Sequence, residues 1–304
     1  MKWRGRRRSS NIEDRRGAPR GGMGRGGIGY NPFGRGGGIR IPTGRAGGGI
    51  GGIVGIVVVV GILWFVTGTN PLDMLTGTTT SMPSSSSQSR PLPQAGEDEL
   101  ADFVGVVLND TETFWQQVFR DNDLTYAEPN LVLFSEATTS ACGPAQAASG
   151  PFYCPLDQRV YIDLTFYDQL RDRFGASGDF AQAYVIAHEV GHHVQQLEGT
   201  LPEFNRARAQ MSQEQQNRYS VMIELQADCY AGVWARGMEQ FLEAGDIDEA
   251  MNAANAIGDD RLTGGRVPKS AFTHGTSEQR MRWFHRGFET GDVGQCDTFN
   301  ATNL

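Results

Sequence analysis

Residues 183–196 read AYVIAHEVGHHVQQ, and residues 220–232 read SVMIELQADCYAG. In the first stretch His188 and His192 stand four apart. On a helix that spacing sets both rings on one face, one turn apart, where two imidazoles grip one cation. Glu189 follows the first ring, placed to take a proton from water and pass it to a leaving amine. HExxH is short enough to arise by chance, so a third ligand decides its meaning. In the second stretch Glu224 and Asp228 repeat the four-residue spacing. Hydrolytic zinc takes three protein ligands and keeps one position open. Glu224 completes that set, and Asp228 is placed to accept the spare ring N–H of a ligand histidine. A surface carboxylate pair is the plain alternative. Against it, the two carboxylates interrupt an apolar run of Val221, Met222, Ile223, Leu225 and Ala227, where unpaired charge is expensive. Together the stretches predict one zinc ion per chain on His188, His192 and Glu224, with Glu189 as catalytic base.

Around this pair the chain reads as helices following a small sheet. Ser177 and Gly178 open the helical segment that runs through Gln196, and Ser212 with Gln215 forms a capping box before a long helix. Asp246 with Glu249, and Thr276 with Gln279, start two further helices in the same way. Upstream, from Glu97, the spacing of Leu100, Phe103, Val104, Val107, Leu108, Trp115, Val118 and Phe119 predicts one or two amphipathic helices. Residues 130–137 (NLVLFSEA) and 159–164 (RVYIDL) are β-rich and predict a small sheet, with an extended substrate lying along RVYIDL or its neighbour. No internal repeat is present, and the order of elements predicts an α+β domain over residues 97–304.

Three other histidines need a reading. His274, in HGTSEQR at a predicted helix start, is placed either to donate to a tetrahedral oxyanion or to serve as a capping residue packed by Arg280. His193 points about 100° away from His192 around the helix, which makes it a neighbour of the site. His285, in RMRWFHRGF, reads as a packing residue.

Composition divides the chain further. By residue 52 it has used 18 of its 40 glycines, and the first 48 residues hold 12 Lys and Arg against Glu13 and Asp14. That segment carries about +10 within a total of −8, so the remainder carries −18. Residues 1–49 therefore read as a disordered Gly/Arg-rich tail. Residues 50–66 (IGGIVGIVVVVGILWFV) are apolar or glycine throughout and long enough to cross a bilayer core as one helix. The charge step across them places the N-terminus in the cytoplasm and the bulk of the chain outside. Residues 67–96 are rich in Ser, Thr and Pro and read as a tether. The glycine pairs Gly48/Gly52 and Gly51/Gly55 are GxxxG spacings through which two such helices approach, a weak signal for a homodimer. An arginine-rich tail also binds nucleic acid, but a topogenic role and attraction to anionic lipid explain its charge first.

All four cysteines, Cys142, Cys154, Cys229 and Cys296, follow the apolar run, on the side where an oxidising compartment permits disulfides. Spacing favours Cys142 with Cys154, which leaves Cys229 for Cys296; buried free thiols are the alternative.

HEVGHH followed by ELQAD resembles the gluzincin group of metallopeptidases, in which the glutamate of the downstream ExxxD is the third zinc ligand. More closely, the chain resembles a bacterial family of membrane-anchored neutral zinc metallopeptidases. The matching features are KWRGRRRSSNIEDRRG at the start, the apolar run, CPLDQRVYIDL, HEVGHHVQ, ELQADCYAGVW, HGTSEQR and CDTF. The resemblance implies a zincin-like α+β domain built on the HExxH helix, with His188, His192 and Glu224 as ligands and Glu189 as base. HGTSEQR is similar to the HP-x-x-x-R segment of other membrane-associated gluzincins, which is what brings His274 into question. Two rival readings remain: a catalytically silent, zinc-stabilised envelope module that binds a partner protein, and a nucleic-acid binder acting through residues 1–49.

Overall fold

A computed structural model describes residues 1–16, 95–147 and 150–304. The expected span at residues 50–66, most of the tether, and both glycine pairs lie outside the described residues. Among the described residues no helix is long and apolar enough to cross a membrane.

The chain is a mixed helix-and-sheet protein. A four-stranded sheet is ordered β1–β2–β6–β5, from β1 (Ile12–Asp14), β2 (Asn130–Phe134), β6 (Arg159–Asp163) and β5 (Phe152–Cys154). β2 runs parallel to both β1 and β6, with Leu131 opposite Val160 and Leu133 opposite Ile162. β5 is antiparallel to β6. The segments expected to form a small sheet are thus adjacent strands, and RVYIDL is interior, so the free edge beside it belongs to β5. NLVLF is apolar at consecutive positions because both faces of β2 are covered. Leu131 and Leu133 face the main core, while Val132 and Phe134 join a smaller cluster with Cys154, Tyr161 and Phe152. A separate hairpin, β3 (Ala137–Ser140) with β4 (Gly143–Gln146), is tied to β5 by the Cys142–Cys154 disulfide. Cys229 pairs with Cys296, so the pairing favoured by spacing and the one it leaves over are both present.

Helix α1 (Ala95–Asp121) precedes the sheet; α2 (Thr165–Asp172), α3 (Asp179–Glu198), α4 (Thr200–Ala207), α5 (Gln213–Gly237), α6 (Asp246–Ala256), α7 (Asp259–Leu262) and α8 (Ser277–Thr290) follow it. Helix α3 carries the histidine pair and is packed by α1, α5 and α6. Ser212 and Thr276 form the expected capping boxes with Gln215 and Gln279. Asp246 does not cap: Gly245 is the N-cap in a left-handed conformation, and the Asp246 carboxylate accepts from the Glu243 amide at 2.7 Å. His285 is not a packing residue either. It is exposed and pairs with Glu289 at 3.4 Å, because Trp283, Phe284 and Gly287 take the buried side of α8.

Close approach of α5 to its neighbours depends on glycine. A Cβ at Gly191 would lie 3.1 Å from the backbone of Ala227, and one at Gly287 would lie 2.0 Å from the Cys229 carbonyl. Both contacts bring α3 and α8 onto the turn of α5 that carries Glu224 and Asp228.

The expectation of a disordered N-terminal tail is overturned for residues 1–16, which belong to the same compact unit as the domain. Ile12–Asp14 pairs with Leu131–Leu133, and Trp3 packs edge-on against Phe103 at 5.5 Å. Arg6 donates to Asp110 at 2.6 Å; Ser9 and Asn11 both donate to Glu112, at 2.7 and 2.9 Å. Arg4 pairs with Glu99, Arg8 with Asp102, and Arg159 with Glu13. The Met1 ammonium lies 2.6 Å from Asp179, the first residue of α3, and 3.2 Å from Asp246. The physical reason is charge complementarity: basic residues that look like a solvated run in isolation meet carboxylates presented by α1, and Trp3 and Ile12 supply apolar anchors. Residues 1–16 are an arm of the domain.

Candidate metal centre

The i, i+4 spacings work as geometry. Helix α3 begins after Gly178 and ends at Gly199, whose φ of 94° terminates it, and the glycine in HEVGH lets α5 cross against its midpoint. His188 Nε2 then lies 3.2 Å from Glu224 Oε2, and His192 Nε2 lies 3.5 Å from Glu224 Oε1. All three groups offer ligand atoms within 4.8 Å of one another. Bonds of about 2.1 Å at tetrahedral angles set ligand atoms about 3.4 Å apart, so the separations fit a zinc ion. The donor set, two imidazole nitrogens and one carboxylate oxygen, is one that hydrolytic zinc sites use. Both ring Nδ1 atoms are engaged elsewhere, by Asp228 and Gln195, which leaves both Nε2 atoms facing the Glu224 carboxylate.

His188 Nδ1 donates to Asp228 Oδ1 at 2.8 Å, the role expected of Asp228. The carboxylate is fully buried and more heavily supported than the sequence indicated. Tyr184 donates to Asp228 Oδ1 at 2.5 Å, and Arg280 reaches it with two donors, Nε to Oδ2 at 2.8 Å and Nη2 to Oδ1 at 2.9 Å. Burial opposes the charge on Asp228, but Arg280 and His188 outweigh it and hold its pKa below the usual carboxylate range. His188 is pulled down by burial and raised more strongly by Asp228 and Glu224, to about 10. Glu224 is held below the usual range by His192, His274 and His188 against burial. Without a metal, this cluster attracts positive charge.

Glu189 sits on the same helix, nearly enclosed. Burial pushes its carboxyl above the ordinary range, while His188 and His192 pull the other way. A base of raised basicity beside a metal centre suits proton transfer near neutrality.

His274 Nδ1 lies 3.1 Å from Asp259 Oδ1, and Asp259 Oδ2 accepts from the backbone amides of Thr273, His274 and Gly275. Asp259 and the Thr273 hydroxyl, also 3.1 Å from Nδ1, thus hold the ring by that nitrogen. Burial disfavours the charged ring, but Glu224 and Asp259 more than compensate and raise its pKa. Asp259 was invisible to motif reading because DDRL resembles any acidic helix start. His193 is fully buried and not a ligand, as expected of a neighbour. Its Nε2 donates to the Ala127 carbonyl at 2.6 Å, so its Nδ1 accepts from the Tyr153 hydroxyl at 3.0 Å, tying the β5 edge to α3.

The model of the family described as "Putative neutral zinc metallopeptidase" matches residues 1–299. The chain belongs to this family. Proteins similar to it include the uncharacterized protein YpfJ of Escherichia coli K12, 49% identical over 307 residues that cover 99% of this chain and all of that protein. The uncharacterized protein Rv2575 of Mycobacterium tuberculosis H37Rv is 45% identical over 195 residues, 59% of this chain and 65% of that one. No solved structure matches the chain. The family match spans the N-terminal arm as well as the metal centre, in keeping with their being one unit.

Proposed function

We propose that this member of the family is a zinc-dependent peptidase that hydrolyses peptide bonds with Glu189 as general base. The observation that carries the reading is the convergence of His188, His192 and Glu224, from two helices, with Glu189 on the same helix as both rings. His188, His192 and Glu224 would hold the zinc, which would supply a Lewis acid for the scissile carbonyl and activate water near neutral pH. The remaining steps belong to the chain's own groups. Glu189 takes the proton from the attacking water and returns it to the amine that leaves. His274, aimed by Asp259, donates to the oxyanion that forms on the scissile carbonyl. An extended peptide adds to the open edge of β5, which the Tyr153–His193 bond fixes against the catalytic helix.

The test is the full chain with and without Glu189→Gln, assayed for bound zinc and for cleavage of a peptide library. The variant is expected to keep its zinc and lose about 10²- to 10⁴-fold in turnover. A wild-type chain that folds and binds no zinc overturns the reading, as does a Glu189→Gln chain that cleaves normally.

Location is part of the proposal. The two disulfides support a catalytic unit in an oxidising compartment, and residues 50–66 remain the segment that attaches the chain to a bilayer. A docked arm must share the compartment of the sheet it joins. The β1–β2 pairing keeps residues 1–16 beside the sheet, so we place arm and catalytic unit on the same face of the membrane.

A further inference from the structure

Asp228 explains how His188 is held, but nothing in either motif explains His192. Its Nδ1 lies 2.9 Å from Gln195 Oε1, one turn along α3. Gln195 is fully buried. Its amide nitrogen donates to the Ile223 carbonyl at 2.8 Å and to Gln226 Oε1 at 2.9 Å. Gln226 in turn donates to the Cys296 carbonyl at 3.2 Å, and Cys296 is bonded to Cys229 on the same helix as Gln226.

This chain has one consistent set of donors and acceptors. A glutamine amide has two hydrogens and an oxygen that only accepts. Backbone carbonyls at Ile223 and Cys296 also only accept, so both amide nitrogens must face them. The two hydrogens of Gln195 are then used, and its oxygen must face His192. That contact is a bond only if His192 carries its proton on Nδ1, which leaves the Nε2 lone pair for the metal. Because Ile223 precedes Glu224, the same amide also fixes the backbone beside the third ligand.

We infer that Gln195 is a positioning residue of the metal centre: it sets the tautomer of His192 and couples it to the Glu224 turn, and Gln226, anchored by the Cys229–Cys296 crosslink, holds Gln195 in that orientation. The inference rests on the zinc reading above. The two histidines are therefore tuned differently, His188 by a carboxylate and His192 by a neutral amide, which secures the second ring without adding another charge to an enclosed site.

The experiment compares full-length wild type, Gln195→Met, Gln226→Met and the double variant. Zinc affinity is measured by chelator competition, the imidazole Nδ1–H of His192 by NMR of the zinc-loaded protein, and folding by thermal unfolding without metal. Gln195→Met is expected to weaken zinc by about 10- to 100-fold and to lose the slowly exchanging His192 proton. Gln226→Met is expected to weaken zinc by a smaller factor, and to change nothing further in the Gln195→Met background, since it acts through Gln195. If Gln195→Met does not fold, the Gln226→Met affinity and proton signal carry the test alone. Unchanged zinc affinity in the single variants, or strictly additive effects, overturns the inference. A wild type that binds no zinc instead defeats the peptidase reading itself.

Discussion

His188 Nε2 and Glu224 Oε2 lie 3.2 Å apart although 36 residues separate them along the chain. Two like-spaced pairs on two helices meet at this one point, and the separation matches that of two ligands on a tetrahedral ion. Glu224→Ala leaves only the rings. Its zinc affinity is expected to fall by more than the roughly 10- to 100-fold typical of losing an outer partner, with the metal-free fold intact. Chelator competition and circular dichroism read the two quantities; zinc retained at wild-type affinity rules out Glu224 as a ligand.

Arg280 and Asp228 form a bidentate pair that is almost wholly buried. Removing one partner leaves the other charge enclosed, which destabilises proteins by about 3–5 kcal/mol. Arg280→Ala should show that loss in denaturant unfolding. Arg280→Lys should recover only part of it, because an ammonium cannot reproduce the two-point contact. Full recovery by lysine contradicts the geometric role assigned to the fork.

The pH profile of cleavage should be bell-shaped. On the proposed mechanism, activity requires Glu189 without its proton and His274 with one. Without a metal both pKa values are raised; in the zinc-loaded chain activity should fall on the acid side as Glu189 gains a proton and on the alkaline side as His274 loses one. His274→Ala is expected to lower turnover by about 10²- to 10³-fold and to abolish the alkaline limb. An alkaline limb of wild-type position in that variant assigns it to another group.

Asp110 couples the arm to pH. Burial pushes its carboxyl up to about 6, against the pull of Arg6. The folded value lies above that of the unfolded chain, so folding takes up a proton between about pH 4 and pH 6. The contribution of this group is therefore most favourable below about pH 4 and is lost as pH rises through 6. The stability of wild type relative to Asp110→Asn should fall by roughly 2–3 kcal/mol between pH 4 and pH 7. A difference independent of pH contradicts the assignment.

The proposed sidedness is open to test. Epitopes inserted after Arg16 and at the C-terminus should have the same accessibility in intact cells, and both should be outside. Deleting residues 1–16 bares the edge of β2 and leaves Asp110 without Arg6, so the thermal midpoint should drop by several degrees. Opposite accessibility of the two epitopes, or an undiminished midpoint in the deletion, separates the arm from the catalytic unit.

Much of the site was legible in one dimension. Helical periodicity alone says that His188 and His192 share a face, and that Glu224 and Asp228 do; capping chemistry places Ser212 and Thr276; spacing favours the Cys142–Cys154 loop. These are local relations, set by the pitch of a helix or the length of a loop. Which helix faces meet is not local. The partnership of Arg280 and Tyr184 with Asp228, and of Gln195 with Gln226, depends on close crossings at Gly191 and Gly287, that of Asp259 with His274 on a loop folding back, and no period in the sequence encodes them. The arm is the clearest case. A run such as KWRGRRR carries only its own charge, and reads as solvated until the carboxylates of α1 and the open edge of β2 are brought beside it. The sequence by itself determined the ligand types and their directions around two helix axes; the tertiary structure decided where those axes cross, because burial and pairing of charge are properties of residues distant in the chain.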